Sequence, residues 1–515
     1  MPRDARPLIP GDGPQTIAAV LDRVLARVPE REALVGRSGR FSYAELDRAA
    51  NRAAHELAEL GVGQGDRVAA CLPNDVDLVI AFLGVQRLGA IWVGINRPLA
   101  APEKAHVLRD CGAKLYLAAP DLSGQVDGAA RVVTVTPGSV GRGEDAPLRP
   151  RVAIDPHDPA AIAYTSGTTG FPKGAVHSHH NLLLPGAVAA ATGAYGPEVR
   201  QGVVLPLTIL NLVVLAPLVA FQDGSACVCI DRIDAEGLAE QVRRERVGHF
   251  AAVPTVFYDL LTHPGVTRAD LASLVRPEVG GAECPEEFRR LYRERFGADV
   301  VIGYGMTEAP TAVTRTDGSA APSPGLCGKA VPQVEIVIQD EKGEPVPRGE
   351  IGEICVAPRT TGPWAGVYTP MLGYWNKPDE TARALRGGVY HSGDLGFLDE
   401  RGDLYIRGRR NELILRGGAN VYPAEVERVL QEHPAVAAAA VLGRPDTRLG
   451  QRVVAAVQLA AGRTATADEL AAFARERLAR YKVPERIAVV AALPRNAMGK
   501  VVKRELEPLF DEGDV

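Results

Sequence analysis

The chain has 515 residues, room for several cores at about 100–200 residues per domain. Basic and acidic residues nearly cancel, 58 against 63 for a net −5, which excludes the basic surplus of a nucleic-acid binder and the charge run of an interaction tail. An apolar share of 46% beside 23% charged excludes a disordered or fibrous chain and fits a globular enzyme.

The amino terminus, MPRDARPLIPGDGPQ, lacks the apolar core of a signal peptide. From Thr16 to Leu60 the pattern predicts helix, short hairpin and helix, with Ser42 and Glu45 forming a capping box at the start of the second helix. A strand is expected at Gly65–Pro73, then a helix running into another strand over Asp77–Ile95, and further strands at Lys114–Pro120 and Arg131–Thr136. The stretch Val203–Phe221 is nearly long enough to span a bilayer. It holds Pro206, Thr208, Asn211 and Pro217 and has no flanking basic cluster, so a buried helix is expected instead. Alternating strands and helices continue to Val301, with Cys227 and Cys229 on one face of a buried strand. Seven scattered cysteines show no metal-ligand spacing, and reduced thiols in the cytoplasm are the expectation. From about Ala320 to Arg407 short strands and turns predict a small β subdomain, and beyond Arg409 a short α+β unit follows. The expected fold class is therefore α/β: a large N-terminal domain of two α/β subdomains plus a small β subdomain, with a small α+β C-terminal domain.

The stretch Tyr164–Gly174, YTSGTTGFPKG, carries seven Ser, Thr or Gly among eleven residues and one cation, Lys173. It cannot bury an apolar face. Its glycines let backbone N–H groups converge on an anion, and its hydroxyls add donors. The apolar run before it reads as a strand and VHSHHNLLL after it as a helix start, an arrangement that cradles phosphate. The spacing is not that of a P-loop, because Lys173 is followed by Gly174 and preceded by Pro172.

Farther on, GYGMTE follows a strand. Gly303 and Gly305 admit a flat ligand, Tyr304 offers a ring, and Glu308 is a hard oxygen donor suited to Mg²⁺. By itself the string equally fits a helix-capping turn. HSGDLG places Asp394 in a tight turn, where a carboxylate caps local backbone or accepts from a ribose diol. Arg409 follows fifteen residues later. Lys500 stands in PRNAMGKVVKREL, by itself no more than a solvated terminal charge.

In this order, over Tyr164–Lys500, these strings resemble the motifs of the adenylate-forming superfamily: acyl-CoA synthetases, stand-alone adenylation domains and beetle-type luciferases. The segments LGYWNKPDET and GGANVYPAEVE extend the resemblance. It implies that Thr165, Ser166, Gly167, Thr168, Thr169, Gly170 and Lys173 hold the ATP phosphates. It also implies that Gly281 and Ala282 line the adenine and acyl sites, that Tyr304 and Gly305 lie against adenine, and that Thr307 contacts phosphate and Glu308 the metal. Asp394 and Arg409 would reach the ribose. Lys500 would act with Thr165 and Glu308 in the first half-reaction, its cation stabilising the approach of a carboxylate to the α-phosphate. The Gly417–Gly418 loop would meet CoA in the second. The implied domains are residues 1–409 and a mobile lid of residues 410–515, with the hinge at Asn411, where relatives commonly carry Asp or Lys.

The implied reaction uses ATP and Mg²⁺ to convert a carboxylic acid into an acyl adenylate, which the thiol of CoA then attacks. The expected acyl pocket includes Ile209, Leu210, Asn211, Val253, Phe257, Gly281, Tyr304, Gly305, Met306 and Pro310. None is charged, so an apolar monocarboxylic acid, fatty, alicyclic or aromatic, is expected. Asn211 is read as a core amide, with donation to a substrate oxygen as the alternative. In LPLTILNL, Thr208 and Ile209 replace the aromatic and His that gate this pocket in many relatives. His177, His179 and His180 look like a metal cluster, but relatives carry similar histidines at this helix start without metal. An acyl carrier protein as thiol donor, a luciferase-type oxidase, a non-catalytic nucleotide-binding protein and a membrane protein are the rival readings. No nucleic acid or membrane span is expected; oligomeric state is left open.

Overall fold

A computed structural model describes residues 6–126, 128–145, 147–165, 172–275, 277–280, 286–297, 300–317, 323, 325–416, 419–446, 448–496 and 499–511. The chain divides into two compact units. One comprises Met1–Pro322, Cys327–Val337 and Cys355–His391, the other Ser323–Leu326, Ile338–Ile354 and Ser392–Val515. The strands Val334–Gln339, Gly352–Pro358 and Tyr390–Leu398 have residues in both.

The first unit is α/β. Its seven-stranded sheet runs in the order Gly373–Tyr374, Lys173–Ser178, Pro159–Thr165, Ile91–Gly94, Arg67–Cys71, Leu115–Ala118, Arg131–Thr134. The strands from Pro159 to Thr134 in that order are parallel, as buried strands joined by helical crossovers are. The expected helix Tyr43–Glu59 begins at Ser42, whose hydroxyl accepts from Glu45 N at 3.2 Å while Glu45 Oε2 accepts from Ser42 N at 2.8 Å. It packs on the helix Val76–Arg87, all of whose residues are buried. Gly84 makes this close approach, since a Cβ there would stand 2.9 Å from that of Ala53. A four-stranded sheet joins Gly39–Ser42, Glu32–Gly36, Cys227–Cys229 and Gln201–Val203. The parallel strands Ala251–Ala252, Glu278–Gly280 and Val301–Met306, followed by antiparallel Thr311–Arg315, carry Tyr304, Gly305 and Met306 of the candidate site.

Two sequence expectations change. Between the glycine-rich loop and the helix His179–Thr192 stands a further strand, Lys173–Ser178, which turns back along Pro159–Thr165. Its alternation is short and masked by His177, so it read as the helix start. Val203–Phe221 is buried as expected but is not one helix. It ends a strand at Val203 and then folds as Leu210–Val213, a π-turn at Val214–Leu218 containing Pro217, and Val219–Asp223. Pro217 has no N–H for the α-helical ladder, and a widened turn accommodates it. Among the described residues no helix is long and apolar enough to cross a membrane.

In the second unit, the sheet Ala419–Val421, Ile414–Arg416, Gly450–Leu459, Val436–Asp446 also pairs with Arg486–Val490 through Gly450–Leu459. Alternation along two strands covers both faces. Val441, Val453, Ala455 and Val457 pack with Val426, Leu430 and Leu470 of two helices, while Ala440, Leu442, Val454 and Ala456 pack with Leu506 and Phe510.

Candidate active site

The strands Pro159–Thr165 and Lys173–Ser178 form the stem of the glycine-rich loop. Thr165 stands opposite Lys173 in the register, and its Oγ1 donates to Lys173 O at 3.4 Å. Ser166, Gly167, Thr168, Thr169 and Gly170 lie outside the described residues. A second strand, Gly373–Tyr374, flanks the stem, with Tyr374 opposite Ala175 and Trp375 N donating to Gly174 O at 2.7 Å.

This pairing brings the stem cation to the metal-binding carboxylate candidate. Lys173 Nζ lies 2.6 Å from Glu380 Oε2 and 4.8 Å from the centre of the Tyr374 ring. The hydrogen bond from Lys173 holds the Glu380 carboxyl below the usual range. On its other side Tyr374 donates its phenol to Glu308 Oε1 at 2.9 Å. Burial, and then the Glu308 charge, push the Tyr374 phenol well above its ordinary pKa, so it stays a donor. Glu308 is also held by its backbone, since Met371 N donates to Glu308 O at 3.1 Å. Lys173, Tyr374 and Glu308 thus form one connected row. Tyr374 and Glu380 are absent from the sequence-based set, although both lie in LGYWNKPDET; their pairings across strands are what single them out.

The strand preceding Glu308 extends farther than expected, through Met306, and the chain reverses at Thr307–Glu308 with Met306 bridged to Ala309. Gly303, Tyr304 and Gly305 are therefore strand residues. Gly281 and Ala282 lie outside the described residues.

Of the expected acyl wall, Asn211 and Met306 meet directly: Asn211 Nδ2 donates to Met306 O at 3.4 Å. Among the described residues the buried Asn211 Oδ1 has no hydrogen-bond partner, so the amide is anchored through nitrogen and presents an acceptor. Ile209 caps the short helix that Leu210 begins. The Thr208 carbonyl presses against Gly94, where a Cβ would stand 2.0 Å from it. Val253 precedes the helix Pro254–Thr262, and Pro310 is buried. Phe257, in that helix, is fully buried in the core with its ring stacked 4.9 Å from Phe250.

In the second unit Asp394 and Arg409 stand directly opposite each other in an antiparallel pair, with Arg409 Nε 3.3 Å from Asp394 Oδ1. Asp394 is a strand residue and not the turn residue its sequence context suggests. The turn-forming conformation belongs to Gly393, at φ 73°. Asn411 lies in the 3₁₀ turn Arg410–Glu412. Lys500 is exposed at a tight loop in which Lys500 N donates to Asn496 Oδ1 at 3.0 Å and Asn496 N to Lys500 O at 2.8 Å. Three residues on, Lys503 Nζ lies 2.7 Å from Glu412 and 2.8 Å from Glu427. Burial alone would lower the Lys503 pKa, but Glu427 and Glu412 together raise it. Gly417 and Gly418 lie outside the described residues.

The three histidines are buried, His177 in the strand Lys173–Ser178 and His179 and His180 at the start of the helix that follows. His179 Nδ1 accepts from Ile17 N at 3.3 Å, and His180 Nε2 donates to Val367 O at 2.8 Å. Burial drives His177 and His179 down to about 3 and His180 to about 4, so all three are neutral near pH 7.

A profile of AMP-binding enzymes matches residues 21–375, and one of the AMP-binding enzyme C-terminal domain matches residues 425–500. The chain belongs to this adenylate-forming family, as its motifs indicate. A feruloyl-CoA synthase of an Amycolatopsis species is 36% identical over 91% of this chain and 94% of its own length. A long-chain-fatty-acid–CoA ligase of Mycobacterium tuberculosis is 33% identical over 92% of this chain and 93% of its own. Among solved structures, ATP-bound MatB from Rhodopseudomonas palustris superposes with a TM-score of 0.85 at 30% identity, covering 96% of this chain and 99% of its own.

Proposed function

We propose that the protein is an AMP-forming acid–CoA ligase, which uses ATP to activate a monocarboxylic acid and passes the acyl group to the thiol of CoA. The observation that carries this reading is the connected row Lys173–Tyr374–Glu308, which ties the stem of the phosphate loop to a fixed carboxylate. Kinship with acyl-CoA synthetases supports both ATP and CoA as substrates.

In the first step an oxygen of the substrate carboxylate attacks the α-phosphorus and pyrophosphate leaves. Two anions must approach, so cations have to be placed between them. Thr165 and the loop residues 166–170 donate to the phosphates, and Lys173 supplies charge beside them. Lys500 supplies the second cation; its exposed position suits a group that must reach its substrate. Tyr304 stacks on adenine, Thr307 donates to phosphate, and Asp394 with Arg409 accepts and donates to the ribose hydroxyls. Glu308 is the residue fitted to hold Mg²⁺: a hard oxygen ligand, oriented through Oε1 by Tyr374. The ion would neutralise phosphate charge there. In the second step the CoA sulfur attacks the acyl carbonyl and AMP leaves. The Gly417–Gly418 loop serves that step, and Asn411 is the hinge between a mobile C-terminal segment and the rest.

Mass spectrometry of products from protein, ATP, Mg²⁺, CoA and a panel of monocarboxylic acids tests the proposal. Acyl-CoA with stoichiometric AMP is expected. Release of ADP, or thioester formation without ATP, would overturn it.

A further inference from the structure

We propose that Glu380 is a counter-ion that competes with the phosphates for Lys173, so that the site holds polyphosphate loosely and lets pyrophosphate go once the adenylate has formed. The inference rests on the ligase reading in one respect, the placing of the ATP phosphates at Lys173.

The position of Glu380 is built into the strand pair that carries Lys173. Gly373 stands opposite Val176 and Tyr374 opposite Ala175, beside the loop stem. The helix Pro378–Ala384 follows and is pinned back on that strand by Thr381. Thr381 Oγ1 accepts from Tyr374 N at 2.8 Å and donates to Lys377 O at 2.8 Å. A Cβ at Gly373 would stand 2.6 Å from Thr381 Cγ2, so the helix sits this close only against glycine. Glu380, next to Thr381, is thereby held at the stem, with its Oε2 2.6 Å from Lys173 Nζ.

Both side chains are largely enclosed, Lys173 at 19% exposure and Glu380 at 27%, and the Tyr374 ring covers another side of the ammonium. A carboxylate in contact there cancels most of the field that Lys173 offers an incoming anion. A phosphate must draw the ammonium away from Glu380 or settle beside a second negative charge, and either lowers its affinity. Glu380 is not stranded by the exchange. Lys377 and Arg383, three residues to either side, also stabilise its charged form, and its partial exposure admits water. The ammonium thus passes between two satisfied arrangements.

The penalty scales with the charge of the ligand. A terminal phosphate group carries ~1.5–2 negative charges near pH 7. Pyrophosphate joins two such groups and ATP has a chain of three phosphoryl groups. AMP has one, and in the acyl adenylate that one is substituted on both sides. Glu380 therefore weakens the hold on ATP and pyrophosphate and leaves the adenylate, which must stay for the thiol, nearly untouched.

The test is calorimetric titration of ATP, pyrophosphate and AMP, each with Mg²⁺ and without acid or CoA, into wild-type protein, Glu380→Gln and Asp379→Asn. Glu380→Gln keeps the shape and removes the charge; Asp379→Asn removes the same charge one residue away on the same helix. We expect Glu380→Gln to tighten pyrophosphate and ATP about fivefold and AMP by less than about twofold, and Asp379→Asn to move none of them by more than about twofold. In turnover the KM for ATP should fall about fivefold without a rise in kcat, and inhibition by added pyrophosphate should set in at about one-fifth the concentration. Unchanged pyrophosphate affinity in Glu380→Gln, an equal gain for AMP, or an equal gain from Asp379→Asn would overturn the counter-ion. Tighter pyrophosphate in Glu380→Gln with no AMP release on any acid would support it and overturn the ligase reading instead.

Discussion

Tyr374 donates its phenol to Glu308 Oε1 at 2.9 Å while its ring covers the ammonium of Lys173 at 4.8 Å. One side chain therefore orients the carboxylate proposed to hold Mg²⁺ and covers the cation of the loop stem. Tyr374→Phe keeps the ring and removes the hydrogen bond. The expected outcome is a rise of about tenfold in the Mg²⁺ concentration for half-maximal AMP release, with little change in melting temperature. Glu308→Gln should raise that concentration further. An unchanged magnesium dependence in both variants would refute the role given to Glu308.

Asp394 and Arg409 face each other across one strand pair, which suits two vicinal hydroxyls. Wild-type protein should therefore prefer ATP to 2′-deoxy-ATP and 3′-deoxy-ATP by about tenfold or more in kcat/KM. Asp394→Ala should bring the three nucleotides close to equality. Initial-rate measurements of AMP or dAMP release decide the matter, and retained discrimination would assign the ribose contact elsewhere.

Lys500 lies exposed at a loop closed by Asn496. Lys500→Ala should lower adenylate formation by about 10²–10³-fold and leave thioester formation from supplied acyl adenylate within a few-fold of wild type. Equal loss in both half-reactions would remove Lys500 from the first step.

The buried histidines set an acid limit on stability. Each has a folded pKa below its ordinary 6.5, at about 3 for His177 and His179 and about 4 for His180. The unfolded chain thus binds more protons, and stability falls as pH drops from about 6.5 toward those values. Denaturation midpoints measured between pH 7.5 and pH 4.5 should decline, with a shallower slope in His177→Gln. That variant sits lower at pH 7.5 because its site is fully enclosed, so the slope, not the midpoint, is the readout.

Much of the candidate site was legible because its residues lie in contiguous strings. The loop residues, GYGMTE, Asp394, Arg409 and Lys500 each sit in a run whose composition serves no core. What stayed hidden depends on pairings between distant residues. Tyr374 is 66 positions from Glu308. Asp394 was misplaced for a local reason: glycines on both sides suggest a turn, yet the strand continues with only Gly393 in the left-handed region. The helix expected at Val203–Phe221 starts only after Pro206, at Leu210, and widens at Pro217, an outcome that depends on what packs around the segment.

The clasp formed by Lys503 with Glu412 and Glu427 has a mechanical consequence. It fastens the residue just after Asn411 to the helix Pro423–Gln431 and, through three residues of chain, to Lys500. Torsion entering at Glu412 would have to break its ion pair with Lys503, whereas torsion at Arg410 or Asn411 leaves it whole. If the proposed hinge at Asn411 turns, the pivot would be confined to two residues, and everything from Glu412 to Lys500 would turn as a single crank, carrying the ammonium with it.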